Sequence, residues 1–543
     1  MGNRALGMGN GKAAQAVAAC LLPLLLAAAC GRAAREPAGF PLESTGFRKT
    51  GYPIVSAPYR LRVLASQHQD TPKFDTLEIF QKLEERTGVQ VEWEYSGKDW
   101  NTKKPLFLAA PDELPDVIMT KLLNEGDVVR NQELFWPLDD LINEYAPNIK
   151  AMLEADPMMA NFARAYDGHI YGLPQKMPAR PETYCVWGIN QVWLDRLGLA
   201  MPETTEEFYH VLKAFKERDP NGNGLADEIP CTFLGLEERN RGFMDIFPAF
   251  GVNETTDYWL SVSGGKVRYI AAQEGFKEAT MFLHRLYAEG LLDPETFTQD
   301  RNQLLAKTNP SGNNPEIVGV SSNWGRYFQY GEAHNSHYAL LLPLKGPKGH
   351  RGWRRAPETV QGTRYVLEIP RSARHPEIAI RWADTLYDKV TSLELYFGPL
   401  GTTLTENEDG SFTSLAAPPG FKGNWTWNYA LNDNTPCYAA DSTVVHMEDQ
   451  NMAEQLEDKK VLSQWYMREY YPMVALSPEE IDELAILRTD IHSTTTHQFA
   501  SWVVNGGVEK EYDAFLKTLH GMGLEGMLAI YQAAYDRQAG GGK

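Results

Sequence analysis

Leu61-Arg62-Val63-Leu64, Val89-Gln90-Val91-Glu92-Trp93 and Leu114-Pro115-Asp116-Val117-Ile118-Met119 punctuate the stretch 61–119. The first and last are short apolar runs and the middle one alternates, so all three read as strands. Residues 77–85 carry apolar side chains at helical spacing, and residues 106–110 suit the end of a second helix. Strand, helix, strand, helix, strand is the pattern of an α/β layer with a mainly parallel sheet.

Downstream, residues 138–145 read as a helix that stops near Pro147. A second run begins after residue 185. Trp193-Leu194-Asp195-Arg196-Leu197-Gly198-Leu199 is a short amphipathic helix stopped by its glycine. Thr204-Thr205-Glu206-Glu207 opens the next, with threonine as N-cap and acids in the first turn. Phe208, Val211, Leu212 and Phe215 share one face of it. Residues 276–288 form a further amphipathic helix, ending at Gly290. Residues 317–320 read as a strand leading to Trp324, 338–343 as a strand crossing between lobes, 365–369 as a strand and 376–386 as a helix. The last hundred residues are mostly helical by pattern.

Directly after the 204–217 helix stands Asp219-Pro220-Asn221-Gly222-Asn223-Gly224-Leu225-Ala226-Asp227-Glu228-Ile229-Pro230. Side-chain oxygens at positions 1, 3 and 5 and a glycine at position 6 are the front half of an EF-hand calcium loop. Leu225, at position 7, needs to offer only its carbonyl. Position 12 is Pro230 and not glutamate, so Asp227 and Glu228 are the acids left to close the shell. A solvated Asn-Gly turn is the alternative. The expected cofactor is a structural calcium ion, held by Asp219, Asn221, Asn223, Leu225, Asp227 and Glu228.

The chain has 543 residues, more than one core usually supports, so two or more lobes are expected. Its net charge of −19 repels phosphate backbones, which argues against a nucleic-acid partner. With 13 Trp and 25 Tyr it has the flat apolar faces that stack on sugars or peptides. Cys185, Cys231 and Cys437 are widely spaced and odd in number, against a disulfide framework, although one bridge among them stays open.

Residues 1–30 combine a basic start (Arg4, Lys12), an apolar centre and small residues before Cys30. That is an export signal, and Cys30 stands where a bacterial lipobox places its lipidated cysteine. Plain secretion with cleavage near Ala29 is the alternative. Residues 31–56, poor in large apolar residues, read as a tether. The expected location is extracytoplasmic, lipid-anchored to the cell membrane of a Gram-positive bacterium.

Several stretches together resemble one family. They are 114–118, Tyr166-Asp167-Gly168-His169-Ile170-Tyr171-Gly172-Leu173-Pro174, 193–199 with 202–230, Leu286-Tyr287-Ala288-Glu289-Gly290-Leu291-Leu292-Asp293-Pro294-Glu295, and Tyr535-Asp536-Arg537. Over residues 60–537 the chain is similar to the family 1 extracellular solute-binding proteins of ABC transporters. It looks most like the LipO/LplA-like lipoproteins and the alginate-binding proteins. One departure is Asn190-Gln191-Val192, where the family has a basic residue before the tryptophan. The resemblance implies a monomeric, two-lobed, type II periplasmic-binding-protein fold of α/β class. It implies residues 57–183 and 343–395 in the N-terminal lobe and 184–342 and 396–540 in the C-terminal lobe. It also implies a structural calcium in the second lobe, an oligosaccharide gripped between the lobes, and a membrane permease as partner.

Sugar binding needs flat apolar faces and planar polar groups. Trp324 is the first candidate, because Ser321-Ser322-Asn323-Trp324-Gly325-Arg326 follows a strand with small neighbours. Trp425 and Trp427, near Tyr429, alternate and so share one side of an extended chain. Tyr184 and Trp187 lie near the crossover, with core packing the competing role for Trp187. Asp116 and Glu182 are candidate acceptors for sugar hydroxyls. Trp93, Trp136, Trp382 and Trp502 fall in helical or strand patterns and read as structural. A calcium-stabilised glycoside hydrolase would share this composition, but no motif marks its carboxylate pair. A peptide-binding lipoprotein is a third reading.

Overall fold

The computed structural model describes residues 41–235, 242–252, 259–311, 314–355, 361–421 and 425–540. The export signal and Cys30 lie outside these. In chain order the strands are β1 (Tyr59–Ala65), β2 (Val89–Tyr95), β3 (Val117–Met119), β4 (Gly172–Lys176), β5 (Val186–Asn190), β6 (Ile229–Cys231) and β7 (Leu260–Ser263). They continue with β8 (Lys266–Tyr269), β9 (Val318–Asn323), β10 (Tyr338–Leu340), β11 (Gly362–Glu368), β12 (Leu404–Glu406), β13 (Phe412–Ser414) and β14 (Val445–Met447).

Two sheets build two lobes. The first has the order β2-β1-β3-β11-β4 and the second β10-β5-β9-β6. In the first, β1 runs parallel to β2 and to β3, while β11 runs antiparallel to both β3 and β4. In the second, β6 and β9 are parallel, and β5 opposes both β9 and β10. Each sheet is therefore mainly parallel with one reversed strand. The reversed strands are the first ones the chain makes on arriving from the other lobe. A crossing chain enters at the gap between the lobes, where the other strands end, so it must run away from that gap. The two-lobed α/β fold expected from the sequence is the one observed.

The helices follow the sequence pattern closely. Glu78–Thr87 buries Ile79, Phe80 and Leu83 and ends at Gly88, whose φ of 73° only glycine adopts without strain. Gln191–Leu197 starts at Asn190, whose side chain accepts the Trp193 N–H at 3.0 Å, and stops at Gly198. Thr205–Glu217 has the full capping box between Thr204 and Glu207 and buries Phe208, Val211, Leu212 and Phe215. The helix Asp139–Tyr145 stops just before Pro147, as read. Pro147 itself opens the helix Pro147–Ala155, where its missing N–H costs nothing.

Three expectations need correction. Residues 41–56 are not a free tether throughout: Ile54 and Val55 are buried in the core of the first lobe, and the Ile54 N–H donates to the Thr87 carbonyl at 2.7 Å. Leu344 and Trp353 join the second lobe's core, so the first lobe resumes near Gly362 and not at 343. Residues beyond 395 stay with the first lobe longer than expected. Phe397, Leu404, Phe412 and Cys437 pack together against Met177 and Val390, and the chain returns to the second lobe near the helix Gln450–Leu462. Sequence alternation carries no record of which lobe a short apolar run covers. Cys185, Cys231 and Cys437 are all buried and none is in a disulfide. No helix among the described residues is long and apolar enough to cross a membrane.

Candidate functional site

The strand directions fix where a ligand site lies. In both sheets the parallel strands end at the gap, the usual place for ligands of open α/β sheets. From the first lobe the gap receives the loops after β1, β3 and β4. From the second it receives the start of β5 and the residues after β9. Two chain crossings run side by side there, with the Met177 N–H donating to the Gln361 carbonyl at 2.7 Å and Gln361 Nε2 to the Arg180 carbonyl at 3.0 Å.

Trp324 directly follows β9 and is half-buried. Lys459, from the helix Gln450–Leu462, holds its Nζ 2.9 Å from the centre of the indole, and the Arg180 guanidinium lies 5.0 Å from it. Arg180 is also ion-paired with Asp433, which accepts the Tyr396 hydroxyl at 3.0 Å. Contacts thus run from Trp324 in the second lobe through Arg180 to Asp433 and Tyr396 beside the first. Lys459 is fully buried and its Nζ has no hydrogen-bond partner. Burial pushes its ammonium pKa well below the ordinary lysine value. Local pattern offered no signal for Lys459, Asp433 or Tyr396. For Arg180 a trace exists in Pro178-Ala179-Arg180-Pro181, a rigid crossover segment after a strand.

Strain collects at the same edge. Thr120 and Lys121, just past β3, have φ of 67° and 62°, and Ala179, past β4, has 51°. Non-glycine residues in this region cost about 1–3 kcal/mol each and are typical of ligand-facing turns. Thr120 Oγ1 accepts the Ser66 N–H from the loop after β1, which ties two of these turns together.

The other aromatic candidates divide. Trp427 is half-buried and packs at a tilt on His68, in the loop after β1, at 4.0 Å between ring centres. Trp425 packs on Tyr429 and Phe421. The two tryptophans do not share a side as expected. Thr426–Asn428 is a 3₁₀ turn, and at three residues per turn, positions two apart face different ways. Trp187 is a correction: it is 2% exposed, packed among Phe208, Phe233 and Trp353, with Nε1 donating to Asp245. Tyr184 is partly exposed at the crossover, with Arg354 5.9 Å from its ring.

Asp116 is a second correction. It is 8% exposed and its carboxylate accepts the backbone N–H groups of Arg62 at 2.9 Å and Arg374 at 3.4 Å. It precedes β3, away from the strand ends, and stitches chain segments together. Glu182 lies in the crossover, paired with Arg355 at 2.7 Å and 3.0 Å. A surface hollow lined by Leu199, Pro202, His210 and Arg218 lies beside the helix Thr205–Glu217 and not at the strand ends.

The acidic loop folds as its spacing predicts. Asp219 accepts the N–H groups of Gly222 and Gly224, Asn221 that of Asn223, and Asn223 that of Leu225. Gly222 and Gly224 have φ of 73° and 76°, which lets the chain curl inward. The amides of Asn221 and Asn223 both turn toward Asp227. Glu228 Oε1 is buried without a partner, and desolvation, with the charges of Asp227 and Asp219, raises the Glu228 pKa. Asp219 and Asp227 are thus near enough to Glu228 for their charges to act on it. The Leu225 side chain points out, 62% exposed, which leaves its carbonyl the only group it has for a calcium ion.

The chain is 30% identical over 487 residues to the fructooligosaccharide ABC transporter substrate-binding protein FusA of Streptococcus pneumoniae, covering 84% of this chain and 86% of that one. The chain belongs to the substrate-binding proteins of ABC transporters. The structure of FusA in complex with kestose matches with a TM-score of 0.76 and 29% identity, over 89% of this chain and 100% of that one. A structure of the FusA EF-hand mutant with fructo-nystose matches equally, at TM-score 0.76, 28% identity and the same coverage. No family model matches the chain. This solute-binding protein thus has relatives along nearly its whole length, both lobes included.

Proposed function

We propose that this protein is the extracytoplasmic receptor of an ABC importer, gripping a short oligosaccharide between its lobes and handing it unaltered to a membrane permease. The observation that carries the reading is Trp324. Its indole is half-buried at the gap end of β9, beside Arg180 and Lys459. Lys459 covers part of the ring, and the rest of the indole beside the Arg180 guanidinium offers the apolar surface and planar donors that a pyranose or furanose ring and its hydroxyls require. Trp427 on His68 and the Arg180–Asp433–Tyr396 group supply further faces and donors. Fructooligosaccharides, bound by the relative, are the first ligands to test. Closure follows only if the ligand binds the closed state more tightly than the open one. The test is affinity for an oligosaccharide panel before and after Trp324→Ala.

The loop at 219–230 is proposed to hold a structural calcium through Asp219, Asn221, Asn223, the Leu225 carbonyl, Asp227 and Glu228. The ion would neutralise these acids and fix the exit of the helix Thr205–Glu217 against β6. An Asn side chain serves as ligand by turning its oxygen inward. Cys30 is proposed as the lipid-carrying residue that ties the receptor to the membrane. No turnover is assigned to the protein, so sugar recovered from the complex should be intact.

A further inference from the structure

Glu316, His334 and His337 bring their ligand atoms together within 4.8 Å of one another, remote from the acidic loop in sequence. Glu316 stands two residues before β9, His334 ends the helix Arg326–His334, and His337 ends the 3₁₀ turn Asn335–His337. Glu316 Oε1 lies 2.8 Å from His334 Nδ1 and 2.5 Å from His337 Nδ1. The side chains of Glu316 and His334 are 11% exposed, and that of His337 is 43% exposed.

The outer contacts decide what the cluster is built to hold. His334 Nε2 faces the Pro310 carbonyl at 3.2 Å. A carbonyl only accepts, so Nε2 carries the proton, and a neutral ring then has its bare lone pair at Nδ1. That lone pair points at a carboxylate oxygen 2.8 Å away. Two lone pairs face each other there, which is unfavourable unless a proton or a metal cation is shared between them. The second carboxylate oxygen, Oε2, accepts from Asn190 Nδ2 at 3.1 Å, which orients the group. An imidazole whose far nitrogen donates to a carbonyl, as His334 does, beside an oriented carboxylate is a usual outer shell of a bound metal.

The geometry points to a site for a divalent transition-metal ion of the zinc class, ligated by Glu316, His334 and His337, with a fourth position left for water. Two imidazoles and one carboxylate suit zinc, whereas calcium and magnesium favour all-oxygen shells. The ligand atoms lie closer together than they would around an ion, and a small opening of the exposed His337 side makes room. The metal would close the loop from residue 316 to residue 337. β9, Trp324 and the helix Arg326–His334 all lie inside that loop, so the ion would brace the base of the candidate sugar platform.

The test uses the full soluble body, stripped of transition metals and then saturated with calcium so that the acidic loop cannot compete. Zinc chloride is titrated by calorimetry, and melting is followed with and without zinc. The expected result is one zinc per chain and a higher melting temperature. His337→Ala, on a half-exposed ring, should weaken zinc binding by about 100-fold while the calcium-loaded protein still melts cooperatively. His210→Ala, an exposed histidine elsewhere, should leave it unchanged. Cobalt in place of zinc should give visible absorption bands that His337→Ala removes. Absence of saturable zinc binding, or stoichiometric binding that survives His337→Ala, overturns the proposal and leaves a proton-linked histidine–carboxylate cluster.

Discussion

Trp324 stands where a strand ends and the space between the lobes begins. The sequence exposed it through its small neighbours and the apolar run before it. Truncation to alanine removes a face and not a core anchor, so we predict at least about tenfold weaker oligosaccharide binding, with melting little changed. Retained affinity in calorimetry would remove it from the site. Glu368 illustrates a different residue-scale effect. It is fully buried on β11, neither carboxylate oxygen has a hydrogen-bond partner, and burial raises its pKa well above the usual carboxylate range. An unfolded chain ionises this group near pH 4–5, while the folded chain keeps the proton. Rising pH above that point therefore favours the unfolded state until the folded group also ionises. Glu368→Gln has no such proton, so between pH 5 and pH 8 the wild-type melting temperature should fall relative to the variant. Parallel melting curves for the two proteins would contradict this. Asp116 and Trp187 mark the limit of residue-level reading. Their types suit a sugar site; core packing is already one of the sequence readings for Trp187 and the fold decides for it, while only the fold reveals that Asp116 binds backbone N–H groups.

Elements were the most legible level. Thr204 with Glu207, the Phe208–Val211–Leu212–Phe215 face and the glycine-stopped helix before them are all local signals, and each appears as read. Thr204→Ala should cost about 1 kcal/mol through the lost cap, and Leu212→Ala about 2–5 kcal/mol through the cavity it leaves. Denaturant unfolding of the calcium-loaded protein measures both, and equal losses would argue against this division. At the acidic loop, side-chain oxygens at alternate positions were readable because the curl is set within a few residues. Calcium at a hundredfold excess over its Kd should add about 2.7 kcal/mol, and Asp219→Ala should erase the difference between calcium and chelator. The segment at 425–429 misled because alternation of aromatics is equally compatible with a short 3₁₀ turn packed on its neighbours.

At the scale of the whole molecule, the two lobes were readable from length and from two α/β runs, but their boundaries were not. A short apolar segment such as the one around Leu344 or Phe412 carries no mark of which lobe it covers. Long-range pairing decides it. The reversed strands β5 and β11 record the crossings, and the contacts that run from Trp324 through Arg180 to Asp433 span the gap they define. The lobes also touch where Arg130 meets Asp482 at 2.8 Å, an exposed pair that contributes little by itself. Closure on a ligand should lower the radius of gyration in solution scattering, and ligand-independent scattering would argue against a moving clamshell. Calorimetric titration of the calcium-loaded protein with fructooligosaccharides and a wider glycan panel, followed by mass analysis of the recovered sugar, probes the central claim. One oligosaccharide per chain should bind saturably and be returned intact. Absence of saturable binding across the panel, or recovery of cleaved sugar, would contradict that claim.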